Sequence, residues 1–297
     1  MIRACSPRLA DFPLDGAVDW SIWTFCYALG KLPLDFVRGT PVASNQGVVD
    51  VPMIFSLLQS ADGERVLVDA GFGSGASMTG RNFANFVRSD ELLRRHGFDP
   101  LGIRKLVLTH LHFDHAGNIA AFPNAEIVVQ RYEYESWKRV IADLGTAGVT
   151  KDQWAFSSLN ADDFTVLDKA IADGRVTFLD GDAEIGAGVT ARLAKDTHSF
   201  GIQWLEIKTP RGPYVLGGDI CYTYFNVERM WPPGYLQGNA WNILHEMRRI
   251  KGTIGGDLSR LMPGHDIEIL TRLPNGAPHG SHVVELTLAA GQTSIIR

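Results

Sequence analysis

Short apolar runs alternate with longer amphipathic ones along most of the chain. MIFSLLQ (53–59) and ERVLVDAG (64–71) flank the turn sequence SADG and predict a β-hairpin. RKLVLTH (104–110) and AEIVVQ (125–130) read as buried strands, because short continuous apolar runs mark strands covered on both faces. YEYESWKRVIADLG (132–145) has helical spacing and a glycine stop. DDFTVLDKAIADG (162–174) predicts a second helix, with Asp162 or Asp163 as its N-cap. Four strand-like runs follow: RVTFLD (175–180), VTARLA (189–194), IQWLEIKT (202–209) and GPYVLGGD (212–219). A helix at NAWNILHEMRRIKG (239–252) leads to LSRLMPGHD (258–266), which carries the last predicted strand into a Pro-Gly turn. This mixture predicts an α/β (α+β) fold with substantial sheet. No linker divides the chain, so the expectation is a single domain over 1–297, with its core at about 48–270 and an N-terminal extension. The stretches 72–90 and 223–239 read as long loops around a functional site.

Composition narrows the picture. The 297 residues are 45% hydrophobic and 21% charged, an ordinary globular balance, and a chain of this length can bury its core without disulfides. A net charge of −5 disfavours a nucleic-acid partner. The basic clusters LLRRHG and MRRIKG read as polar sides or ends of helices. The first residues lack a secretory pattern, and no run of apolar residues is long enough to span a membrane, so no membrane partner is expected. Cys5, Cys26 and Cys221 are far apart and form no C-x-x-C pair, and a reduced cytoplasm is the expected location.

The candidate chemistry lies in LTHLHFDHAGN (108–118), where three of the chain's nine histidines fall within six positions. Side chains two apart in an extended segment share a side, so His110 and His112 can face one metal. Asp114 and His115 are adjacent, diverge, and can address a second centre, while Gly117 lets the backbone turn. Similar contexts recur downstream: His198 in the polar turn DTHSFG, Asp219 at the end of VLGGD, and His265 after the turn of MPGHD. All stand at strand ends, where loops gather on one edge of a sheet. His96, His245, His279 and His282 lack that setting and read as structural or solvated. Five imidazoles and two carboxylates without a thiolate cluster suit zinc best, and iron or manganese less well. A bridging Asp219 would neutralise two close cations, and a water held between them would lose its proton near neutral pH and become a nucleophile. Hydrolysis is the reaction such a site suits.

The motifs THLHFDH, THSFG, GGD and PGHD, in that order and with LVDAG upstream, resemble the metallo-β-lactamase superfamily over roughly residues 48–270. The resemblance implies an αββα four-layer sandwich with the metal site at one edge of its two sheets. It implies that His110, His112 and His198 bind a first zinc, that Asp114, His115 and His265 bind a second, and that Asp219 bridges them. Asp69 would orient a ligand, or, read from the residues alone, cap a turn. Within the superfamily, HLHFDHAG, IVVQRYEYE, DICYT and GHDIE resemble the quorum-quenching N-acyl homoserine lactonases. Tyr222 falls where those enzymes place a tyrosine against the substrate carbonyl, so Asp114 and Tyr222 are the expected catalytic residues. Cys221 reads as a small buried residue.

The chain departs from that pattern in four places. THSFGIQ stands where those lactonases usually read GHSPGHQ, Asn118 replaces a common glycine, and the segments 143–165 and 223–239 look longer. The second segment brings Phe225, Trp231, Pro232, Pro233 and Tyr235, with Trp241 just beyond, which would suit a bulkier or more aromatic substrate. The expected function is therefore a two-zinc hydrolase opening an N-acyl homoserine lactone or related lactone. A carboxylesterase, thioesterase or phosphotriesterase on the same scaffold is the alternative. Homodimers are common among the lactonases it resembles.

Overall fold

The computed structural model describes residues 18–39, 47–73, 82–143, 156–272 and 283–296. Twelve strands among these form two sheets. Strands β1 (Trp20–Pro33), β2 (Val48–Ser60), β3 (Arg65–Val68), β4 (Lys105–Val107), β5 (Glu126–Gln130) and β6 (Val176–Leu179) lie in that order in the first sheet. Strands β7 (Ala183–Gly186), β8 (Val189–Lys195), β9 (Gly201–Thr209), β10 (Gly212–Gly218) and β11 (Leu261–Pro263) make the second, and β12 (Val283–Thr287) returns to pair with β1. The first sheet is antiparallel from β12 to β3 and parallel from β3 to β6.

Side-chain alternation assigns each face of the first sheet to a different core. Val66 and Val68 of β3, Val107 of β4 and Val128 of β5 join the core shared with the second sheet. Leu67, Leu106, Ile127 and Val129 join the opposite one. Both faces are dry, so these strands read as unbroken apolar runs.

The helices are α1 (Leu34–Arg38), α2 (Ser89–Arg95), α3 (Phe113–Ala116), α4 (Arg131–Asp143), α5 (Ala161–Ala172), α6 (Tyr224–Arg229), α7 (Ala240–Thr253) and α8 (Ile269–Arg272). Leu92 and Leu93 of α2, Trp137 of α4, and Phe164 and Leu167 of α5 cover the outer face of the first sheet. Ile243, Met247 and Ile250 of α7 pack on the second, where the Trp204 indole of β9 donates to Glu246 at 3.0 Å. The layers are therefore helix, sheet, sheet, helix. No helix among the described residues is long and apolar enough to cross a membrane.

Several expectations need correction. The strand at 261–263 is followed by β12, and the supposed N-terminal extension supplies β1, so the sheet reaches beyond 48–270 at both ends. The reason is burial on both faces: WSIWTFCYALGKLP shows no polar alternation, and Glu285 of β12 is a buried acid that accepts from Trp23 Nε1 at 3.0 Å. Strand β7 and helices α1, α3, α6 and α8 were not expected. Helix α5 is capped two or three residues earlier than expected, at Asn160, which puts Asp162 and Asp163 in the first turn, where carboxylates face the positive end of the helix dipole. The stretch 223–239 is not all loop. Thr223 caps α6 through a reciprocal pair of bonds with Asn226, and an asparagine in place of the usual Glu or Gln hid the capping box. The two basic clusters do lie on helices, with Arg94 and Arg249 paired to Asp90 and Glu246. Residues 74–81 and 144–155, Cys5, His279 and His282 lie outside the described residues.

Candidate metal centre

The site begins where β4 leaves its sheet. The β4 ladder stops at Val107, because the carbonyls of Leu108 and Thr109 turn to accept from the side-chain amide and backbone N–H of Gln203 on β9, at 2.8 and 2.9 Å. This bridge between the sheets swings the next residues onto the sandwich edge. His110 and His112 therefore sit in a loop rather than on a strand, and Asp114 and His115 in the short turn of α3. His198 stands in the connection from β8 to β9, Asp219 directly after β10, and His265 two residues after β11.

All seven expected residues converge in two adjoining groups of donor atoms, His110, His112, His198 and Asp219 in one, and Asp114, His115 and His265 in the other. His112 Nδ1 is 2.9 Å from His110 Nε2 and 3.2 Å from His198 Nε2. Asp219 lies between the groups: Oδ2 is 3.1 Å from His198 Nε2 and 3.3 Å from His265 Nε2, and Oδ1 is 3.4 Å from His115 Nε2. Asp114 Oδ2 is 3.5 Å from His265 Nε2 and 3.6 Å from His115 Nε2.

These contacts fit a divalent metal. Tetrahedral zinc, with nitrogen ligands at about 2.05 Å, sets those ligands about 3.3 Å apart, close to the spacings here. His115 Nε2, His265 Nε2 and Asp219 Oδ1 are buried and make no well-directed hydrogen bond among the described residues, a costly state for polar atoms unless a cation answers them. The ring nitrogens on the far side are held. His115 Nδ1 meets Asp69 Oδ2 at 2.8 Å, His265 Nδ1 donates to the Pro52 carbonyl at 2.9 Å, and His198 Nδ1 donates to the Tyr235 carbonyl at 3.2 Å. Such bonds fix the tautomer that presents Nε2 inward. His112 is reversed, with Nδ1 inward and Nε2 buried beside the Gln237 amide.

Electrostatics follow the same division. Burial, reinforced by neighbouring histidines, holds His110 and His112 well below the ordinary histidine range, so both present neutral lone pairs. At His115 burial is outweighed by Asp114, Asp219 and Asp69, which raise its pKa well above that range, and Asp219 likewise helps to raise His265. Asp219 is held well below the carboxylate range by His265, His115 and His198, against the cost of its own burial.

Glycines permit the crowding. A Cβ on Gly264 would stand 2.6 Å from Asp219 Oδ1, and one on Gly117 would stand 2.4 Å from the Phe113 carbonyl oxygen. Gly117 has φ −75°, so space rather than an unusual backbone explains it. Asp69 does adopt a left-handed backbone (φ 64°), and its carboxylate accepts from Thr109 N–H at 2.7 Å and from Thr109 Oγ1. It thus orients a candidate ligand as well as closing a turn. Asn118 donates to Ser89 Oγ at 2.9 Å and to Asp90 at 3.3 Å, a tie to α2 that glycine would lack.

A cavity of about 470 Å³ opens over the cluster, with His112, Asp114, His198 and Asp219 in its floor and Leu32, Phe36, Met53, Phe83, Phe113 and Tyr222 among its walls. Tyr222 is buried, its ring centroid 4.7 Å from that of His265. Burial, with Asp219 and Asp114 close by, pushes its phenol well above the ordinary tyrosine range, so it stays protonated. Of the aromatics named at 223–241, Tyr235 reaches this cavity, stacked on Phe36 at 4.6 Å with its hydroxyl donating to Ser158. Pro232 and Pro233 line a neighbouring cavity of about 590 Å³, Phe225 lies under the Arg38 guanidinium, and Trp231 and Trp241 are exposed. Cys221 is fully buried, which pushes its thiol up. His245 is exposed on α7, and His96 packs edge-on against Phe25. Sequence reasoning overlooked Glu133, a buried acid in the amphipathic α4 pattern whose only signal was a charge on the apolar side of that helix.

The model of the metallo-β-lactamase superfamily matches residues 49–265. An N-acyl homoserine lactonase from a Bacillus species is 27% identical over 253 residues, covering 80% of this chain and 91% of the relative. The N-acyl homoserine lactonase AttM of Rhizobium johnstonii is 29% identical over 179 residues, 57% of this chain and 60% of the relative. A solved quorum-quenching N-acyl homoserine lactone lactonase superposes with a TM-score of 0.63 at 25% identity, over 86% of this chain and 95% of that one. AidC, a dizinc quorum-quenching lactonase, shares the fold with a TM-score of 0.65 at 15% identity, over 94% of this chain and 97% of its own. With the family match running through all seven clustered residues, the chain belongs to the metallo-β-lactamase superfamily.

Proposed function

We propose that this protein is a dinuclear metal hydrolase, with zinc the best-suited ion, that opens the ring of an N-acyl homoserine lactone or a related lactone. The observation that carries the reading is the position of Tyr222, a protonated buried phenol on the wall of the cavity whose floor is the seven-residue cluster. His110, His112 and His198 would hold one ion, Asp114, His115 and His265 the other, and Asp219 would contact both. When bound, such ions supply Lewis acidity and bring the pKa of water toward neutrality.

The chain's own residues do the rest. Tyr222 Oη donates to the carbonyl oxygen of the ester as negative charge develops there. Asp114, its carboxylate in the cavity floor, takes the proton released as water adds to the carbonyl carbon and returns it to the ring oxygen as the acyl C–O bond breaks. The product is a hydroxy acid, one water heavier than the lactone. The stacked Phe36 and Tyr235 and the apolar Phe83, Met53 and Leu32 give the cavity a wall suited to an acyl or aromatic substituent.

The relatives support the lactone as substrate class, since their names record N-acyl homoserine lactones. The test is mass spectrometry of N-hexanoyl homoserine lactone, aryl esters, thioesters and a phosphotriester after incubation with zinc-loaded protein. Gain of one water by the lactone at the highest kcat/KM supports the reading. Turnover confined to the other substrates would keep the hydrolase and overturn the lactone.

A further inference from the structure

We propose that Glu133 is a positioning residue that sets the spacing of His110, His112 and His198, an inference that rests on the metal-centre reading above. Glu133 is fully buried near the start of α4. Its Oε1 accepts from the Leu111 N–H at 3.1 Å, from Trp137 Nε1 at 2.9 Å and from Ser199 Oγ at 2.6 Å, and its Oε2 accepts from the Gly201 N–H at 2.6 Å. Leu111 lies between His110 and His112, and Ser199 follows His198. One carboxylate therefore fastens both loops that bring the first donor group together.

The fastening is specific in two ways. Four donors converge on the two oxygens, so an amide in place of the carboxylate would have to turn its NH₂ toward another donor. A Cβ on Gly201 would stand 2.6 Å from the Glu133 nitrogen, so the His198 loop and α4 already meet backbone to backbone. Trp137, held by the same carboxylate, sets its ring 5.9 Å from that of His112. The second donor group is oriented by other atoms, Asp69 at His115 and the Pro52 carbonyl at His265. Loss of Glu133 should then fall on one metal and spare the other.

The test is titration of metal-stripped protein with Zn²⁺ against a chromophoric chelator, for the wild type, Glu133→Gln and Glu285→Gln. The last removes a comparably buried carboxylate, bonded to Trp23 and carried by the edge strand β12, with three strands between it and β4. We expect Glu133→Gln to weaken one of two binding events by at least about ten-fold and leave the other near its wild-type value. Glu285→Gln should leave both unchanged, whatever it does to the melting temperature. Wild-type affinities in Glu133→Gln would overturn the proposal and leave the residue a purely structural role. If that variant does not fold, Ser199→Ala, which removes one donor of four, should weaken the same event several-fold, and unchanged binding would overturn the proposal. A wild-type protein that binds no zinc would instead overturn the metal centre itself, and the proposal with it.

Discussion

Asp69 Oδ2 and His115 Nδ1 lie 2.8 Å apart, and the same carboxylate accepts the Thr109 N–H at the point where β4 leaves its sheet. Asp69 thereby couples the position of the histidine loop to the orientation of one of its rings. Asp69→Asn keeps a residue type that tolerates φ 64° but removes the charge. Metal affinity or turnover in this variant should fall about 10–100-fold, with the fold retained by circular dichroism. Wild-type values for both would reduce Asp69 to a turn residue.

Tyr222→Phe removes a hydroxyl from the cavity wall and leaves every proposed ligand in place. Lactone kcat should drop by about 100-fold or more, while zinc content by elemental analysis stays that of the wild type. Full activity would take Tyr222 out of the mechanism.

Asp219 stands between the two donor groups, within 3.4 Å of His198, His265 and His115. Asp219→Ala should lose at least one equivalent of metal after dialysis. Retention of two would contradict a bridging position for this carboxylate.

Much of this site is legible in the sequence because its residues sit at chain positions that a linear pattern marks. Strand ends, Pro-Gly turns and the H-x-H-x-D-H spacing single out all seven clustered residues, and the apolar runs at 53–59, 104–110 and 125–130 mark strands of the first sheet. What escapes is set by contacts between distant segments. Glu133 looks like any helix charge until Ser199 and Gly201 arrive from the other sheet. β1 is buried on both faces and gives no alternation, and the tie from Asn118 to Ser89 joins segments 29 residues apart. The aromatic loop shows the same limit, since its composition could not tell that Tyr235 turns inward while Trp231 and Trp241 turn out.

Asp90 makes the acid response of the α2 junction predictable. Its burial alone would raise the carboxyl pKa, but bonds from Arg88, Arg94 and Asn118 more than offset that and hold it below the ordinary range. A depressed folded pKa gives stability that is present above the unfolded value of 3.8 and is lost as pH falls through the folded one. Asp90→Asn should therefore cost about 1 kcal/mol at pH 7, a modest figure because both arginines are half-exposed, and the gap should close in acid. Urea unfolding of both proteins at pH 7 and below pH 4 measures it. A gap that persists undiminished in acid would show that the ionised carboxylate is not its source.

On the proposed function, the clustered histidines and aspartates make lactone ring opening depend on bound metal. Proton release in weak buffer from an N-acyl homoserine lactone, followed as zinc is returned to the chelated protein, measures this directly. No release above background is expected without metal, and full recovery is expected as the second equivalent is added. Undiminished ring opening by the metal-free protein, or none at any zinc loading, would contradict it.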